Sequence, residues 1–172
     1  PSLPWFTAMP SVRAAALLAH AGMATIRRGR RHEGLPPHAR HSAKLARAVL
    51  HALEVPFQVR EHAVALILNH RKPQNLVGSG APDETWMRLA CVLDLRGLYR
   101  LKRAELEAMP GGGAGLAGER LEKFRARAEQ LSVFGRPPAP PLSAEQIDSL
   151  GPHTPRALHR AARAKVPYPI VA

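Results

Sequence analysis

Apolar residues recur at three- and four-residue spacing along nearly the whole chain, and no stretch alternates apolar with polar side chains as a half-buried strand does. A chain patterned in this way folds as packed helices. Its apolar content is 45% but its aromatic content only 5%, so alanine and leucine must fill the core, which favours closely packed helices over sheets. At 172 residues, one domain with a small appendage is expected: a helical domain over 1–135, then a Pro-rich linker and short basic helical appendage over 136–172. No apolar run approaches the roughly 20 residues of a membrane span. The opening Pro1-Ser2-Leu3-Pro4-Trp5-Phe6 has neither the basic start nor the apolar stretch of a signal peptide. A cytoplasmic location is therefore the expectation and, because Pro1 stands where an initiator Met would, so is a processed or trimmed chain. The lone Cys91 excludes an internal disulfide and a thiolate zinc cluster, and its apolar helical setting predicts an inert buried thiol.

Start and stop signals divide the chain. Ser11 is a candidate N-cap for a helix through about Met23, with Ala15, Leu17, Leu18 and His20 inward. After the basic loop Arg27–Gly34, Pro36 and Pro37 open a second helix, about 37–53, whose stripe is Ala46, Val49, Leu50 and Leu53. A third, 58–70, places Val59, Ala63, Leu66, Ile67 and His70 on one face and ends before Pro73. Gln74–Pro82 reads as a loop. Asp83 then caps a long helix from Glu84 towards Met109, with Trp86, Ala90, Leu93, Asp94 and Gly97 on one side. Gly111–Gly115 is a hinge that lacks the Gly-Lys-Ser/Thr ending of a phosphate-binding loop. A fifth helix, about Gly118 to Phe134, is expected to stop at Gly135. Beyond the Pro-rich spacer 136–141, Ser143–Gln146 reads as a capping box, and Thr154-Pro155 starts a basic helix bearing Arg156, Arg160 and Arg163.

Charge points to a class of partner. Lys and Arg number 25 against 13 Asp and Glu, a formal net charge of +12, and residues 1–80 carry 11 basic and 3 acidic side chains. A field of that sign favours polyanions, and the planar fork of arginine suits phosphate. The candidate phosphate or RNA contacts are Arg27, Arg28, Arg30, Arg31, Arg40, Arg96, Arg156, Arg160 and Arg163. The plainer alternative is that these side chains only keep an Arg-rich protein soluble.

His38, His70 and Asp94 offer different chemistry: two imidazoles and a carboxylate, each where a helical bundle can turn it inward to share one divalent cation. His20 is a fourth candidate. Taken singly, each has an ordinary role, as core histidine, surface side chain or ion-pair partner. His51 and His62 lie on or near polar faces and are expected to be solvated. No Gly-x-Ser-x-Gly, Cys-His dyad or acid/base carboxylate pair is present.

These segments, taken in order, carry a resemblance. Ala14-Ala15-Ala16-Leu17-Leu18-Ala19-His20-Ala21-Gly22 resembles the Ala-Ala-Leu-Leu-His-Asp-x-Gly helix of the HD superfamily of metal-dependent phosphohydrolases. His38–Ala46 is similar to the next family segment, where a ligand His precedes a Gly-Ala or Ser-Ala turn. Val55–Glu61 with Leu68-Asn69-His70 is similar to the third. Asp94-Leu95-Arg96-Gly97 resembles the Ala-Asp-Val-Arg-Gly of HD modules in bacterial tRNA nucleotidyltransferases, and Pro141–Lys165 is similar to the region C-terminal to that module in those enzymes. The resemblance spans roughly residues 12–165. It implies an all-α, HD-domain-like helical bundle with a small C-terminal helical appendage, with His38, His70 and Asp94 at metal-ligand positions.

The chain also departs from the family. The paired His-Asp falls on Ala19-His20 without a gap, or on His20-Ala21 with a shift of one residue; in both registers the bridging carboxylate is absent. Without it no pair of metals about 3.5–4 Å apart is held, and His20, His38, His70 and Asp94 offer one ion (Zn, Mn, Fe or Mg) a single site, or hold none. Three readings stay open: a degenerate HD-type module binding RNA (tRNA-like) or nucleotide phosphates through a basic face; an active metal-dependent phosphohydrolase of nucleotides or RNA 2′,3′-phosphates; and a scaffold whose histidines form only a packed polar network.

Overall fold

The structure is a computed structural model and describes residues 10–25, 37–110 and 115–138. Over these residues the protein is all-α, with no strand. Seven α-helices follow in order, with one 3₁₀ turn: α1 (Pro10–Leu18), the turn Ala21–Thr25, α2 (Pro37–Ala52), α3 (Phe57–Asn69), α4 (Lys72–Gly78), α5 (Asp83–Val92), α6 (Leu95–Glu107) and α7 (Leu116–Gln130). No helix among the described residues is long and apolar enough to cross a membrane. Gly111–Ala114 of the Gly hinge, the basic loop and everything expected beyond the start of the Pro-rich spacer lie outside the described residues, while Gly115 (φ 87°) precedes α7.

Small residues set the packing. Ala15, Ala19, Ala43, Ala46 and Ala63 are all but fully buried, and they let α1, α2 and α3 approach closely. α6 lies across α1 and α3 and supplies Leu95, Leu98 and Leu101, each 0% exposed. α7 closes the other side against α4 and α6, with Phe124 fully buried and its ring 5.1 Å from that of Trp86 on α5. Burying a Phe or Leu side chain contributes about 1.5–3 kcal/mol, so this leucine layer and the Phe124–Trp86 contact carry much of the fold.

α1 is fastened by a polar contact. Ser11 does not cap it: Pro10, which has no N–H to satisfy, is the first helical residue, and the buried Ser11 Oγ meets His62 Nδ1 at 2.9 Å across on α3. His62 is therefore half-buried and engaged rather than solvated. Ala15 faces inward as expected, but Leu17 points to solvent, Leu18 is half-buried and His20, beyond the end of α1, is 48% exposed. On α2 only Ala46 and Leu50 of the expected stripe are buried, Val49 and Leu53 being exposed.

Three expected boundaries are corrected. Pro73 does not simply end a helix: it sits in the first turn of α4, where a missing N–H costs nothing, so part of the expected Gln74–Pro82 loop is helical. The long helix from Glu84 is two helices. Leu93 is extended (φ −154°, ψ 159°), and Asp94 caps α6, its Oδ1 accepting from Arg96 N at 3.0 Å and its Oδ2 from Gly97 N at 2.9 Å. Trp86, Ala90 and Leu93 are buried as expected, while Cys91 falls on the opposite face and is exposed rather than buried. The last described helix ends at Gln130, before Gly135. Ser132 (φ 57°) turns the chain so that its own N–H reaches Glu129 O and the Val133 N–H reaches Ala128 O, both at 2.9 Å, which buries Val133.

Candidate metal centre

Four elements meet at one end of the bundle, each delivering a polar side chain. His20 lies in the link between α1 and the 3₁₀ turn. That turn is seated on α2 by Gly22, whose N–H donates to Ser42 Oγ at 2.9 Å. A Cβ at Gly22 would stand 2.4 Å from Ser42 N and 2.8 Å from His38 O, so only glycine permits this approach. The contact brings His20 beside His38, in the first turn of α2. His70 arrives from the C-cap of α3 and is 2% exposed.

The three rings converge. Their centroids are 6.1 Å apart for His20 and His38, 5.4 Å for His20 and His70, and 5.5 Å for His38 and His70. One ligand nitrogen from each lies within 4.8 Å of the others. Nitrogens bound tetrahedrally to zinc at 2.0–2.1 Å would be about 3.4 Å apart, so modest side-chain rotations close the set around an ion. His70 is also oriented for ligation. Its Nδ1 lies 2.7 Å from Ile67 O, to which it donates, leaving the Nε2 lone pair free.

Burial pushes the His70 imidazole below the usual histidine range, and the hydrogen bond to Ile67 and the charge of Glu105 oppose that shift without cancelling it. Burial likewise lowers His38, helped by His70, His20 and Arg71 and opposed by Glu105. Both rings are thus biased to the neutral form that binds metal.

Asp94 stands outside this group. Both of its oxygens are committed to backbone N–H groups at the start of α6, a capping role that the sequence pattern does not separate from ligation. The carboxylate beside the imidazoles is Glu105 instead, one helical turn beyond Leu101 and Lys102 on α6. Its side chain is 5% exposed; Oε2 accepts from Lys102 Nζ at 2.8 Å, while Oε1 lies 3.5 Å from His20 Nε2 and has no hydrogen-bond partner. Sequence reasoning misses Glu105, because the charged residues between Arg100 and Glu107 read as a solvated face. The available signal is register: Leu98, Lys102 and Glu105 fall at i, i+4 and i+7 on the stripe that buries Leu95.

The basic candidates divide. Arg27, Arg28, Arg30, Arg31, Arg156, Arg160 and Arg163 lie outside the described residues. Arg40 is exposed on α2. Arg96 packs on Phe134, its guanidinium 5.5 Å from the ring centre and Nη2 3.5 Å from the Phe134 carbonyl, so it ties α6 to the segment after α7. Arg71, absent from the sequence-based candidates, acts electrostatically on His38, as Lys102 does on His70.

No protein-family model, curated protein or solved structure matches the chain.

Proposed function

We propose that this chain is an HD-type helical module that holds one divalent metal ion on His20, His38 and His70 and binds the phosphate of RNA (tRNA-like) or of a nucleotide. The observation that carries the reading is the convergence of three imidazoles from three separate elements, each offering a ligand nitrogen within 4.8 Å of the other two. Isolated buried histidines are common; here His20 is 48% exposed and His38 half-buried, so core packing alone does not account for three ligand nitrogens within 4.8 Å of one another. Three imidazole nitrogens suit a borderline cation such as Zn²⁺, which binds histidine at about 2.0–2.1 Å and can expand to five-coordinate to admit a further ligand.

A bound divalent ion would supply positive charge for phosphate oxygens and would acidify a coordinated water. The protein's own contributions are separate. His70 is held in one tautomer by Ile67, His20 is set by the Gly22–Ser42 contact, and Arg71 adds positive potential at the rim. The net charge of +12 favours polyanionic partners for the chain as a whole. The sequence carries no carboxylate at Ala19-His20-Ala21, where the family's bridging aspartate would fall, which favours binding over two-metal hydrolysis.

Two measurements test this reading. Metal-free protein titrated with Zn²⁺ is expected to take up one ion per chain. Binding of a tRNA-sized RNA is expected to weaken about tenfold or more between about 50 and 200 mM salt if roughly three or more phosphates are contacted. Affinity insensitive to salt would contradict phosphate recognition. The second reading, an active phosphohydrolase or phosphodiesterase, is favoured by the anionic Glu105 at the cluster. Its test is turnover of bis-p-nitrophenyl phosphate by Zn- or Mn-loaded protein, and an inert loaded sample would remove it.

A further inference from the structure

We infer that Glu105 is the fourth ligand of this centre, binding through Oε1 while Oε2 stays on Lys102, so that α6 supplies the carboxylate missing from the link after α1. The inference rests on the single-metal reading above and deepens it by naming the ligand and the residue that aims it.

The imidazoles come from the link after α1, from α2 and from α3, and Glu105 comes from α6, the fourth element at this end of the bundle. Oε1 is buried and unpartnered, a state that leaves a polar group, and more so a charged one, without compensation for its lost water. It stands 3.5 Å from His20 Nε2, on one side of the group whose nitrogens lie within 4.8 Å of one another, so ligation requires the side chain to move towards His38 and His70. Carboxylate oxygens bind zinc at about 2.0–2.2 Å, and the flexible Lys102 side chain can follow Oε2 as Oε1 moves to the ion. Lys102 holds the other oxygen at 2.8 Å, an outer partner that fixes the direction of a ligand. Charge favours the same assignment. Lys102 and Arg71 both oppose a cation here, and three neutral imidazoles do nothing to offset its charge. Glu105 supplies that offset.

The test uses Co²⁺ as a spectroscopic probe, added to the full metal-free chain as wild type, Glu105→Gln and His70→Ala. Wild type is expected to bind one Co²⁺ with the intense visible absorption of a four-coordinate site. Glu105→Gln is expected to bind about tenfold or more weakly, with a shifted, weaker band as water replaces the carboxylate, and His70→Ala to lose binding. Unchanged affinity and spectrum in Glu105→Gln, with binding lost in His70→Ala, would overturn the assignment of Glu105 and leave the three-histidine site standing. Wild type that takes up no Co²⁺ would overturn both. If Glu105→Gln fails to fold, the infrared difference spectrum between metal-free and Zn-loaded wild type decides. A shifted carboxylate stretch on loading supports the assignment, and its absence overturns it.

Discussion

At the scale of single residues, the centre is a balance between burial and charge. His38 and His70 are held below the ordinary histidine value of 6.5, chiefly by burial. Below 6.5 the unfolded chain takes up protons that the folded rings resist, so metal-free stability is full above 6.5 and is lost as pH falls through the lowered values. Urea midpoints measured across that range should therefore drop on acidification, and His70→Gln should flatten the drop. The same bias keeps the rings neutral, so metal affinity should persist somewhat below pH 6.5 before protons displace the ion. Lys102 gives a second prediction. Lys102→Met leaves Glu105 buried without its cation and should cost about 3–5 kcal/mol in the metal-free protein. Because a bound cation replaces the lost charge, Zn²⁺ should raise the melting temperature of Lys102→Met by more than that of wild type. Equal rises in differential scanning calorimetry would contradict Glu105 facing the ion.

At the scale of elements, two short features position the site. Gly22→Ala would drive a Cβ against the backbone of Ser42, which cannot yield as a side-chain tip can. The expected result is a loss of about 1–3 kcal/mol and a displaced His20, read as weakened Zn²⁺ binding in calorimetric titration. Asp94→Ala separates capping from ligation. Loss of two N-terminal hydrogen bonds on α6 should cost about 0.5–2 kcal/mol in chemical denaturation while Zn²⁺ affinity of the folded protein holds. Sequence legibility splits at this scale. α2 and α3 are readable to within a residue or so, because proline and strong apolar periodicity mark them. The break at Asp94 is not, because the buried residues of α5 and α6 continue one another's stripe and the capping aspartate sits on it. Glu105 is hidden for the complementary reason: charged residues at close spacing around it read as a solvated face until the rotation of α6 is known.

At the scale of the whole molecule, an Ala- and Leu-rich chain with few aromatics forms an all-α bundle, as its periodicity dictates, with tight alanine contacts on one side and the Phe124–Trp86 contact on the other. The meeting of His20, His38 and His70 is the part of the candidate site that the sequence can suggest, since each stands at an element end facing the same region. Which carboxylate accompanies them is a matter of helix rotation, visible only in three dimensions. The basic character of the chain fits a phosphate-bearing partner, and Arg71 and Lys102 bring positive charge to bear on the imidazoles. The measurement that bears most directly on the account is anomalous diffraction at the zinc edge from crystals of the full chain soaked with Zn²⁺. One strong peak enclosed by the nitrogens of His20, His38 and His70 is predicted. Ordered imidazoles with no peak between them, or zinc bound only elsewhere, would contradict it.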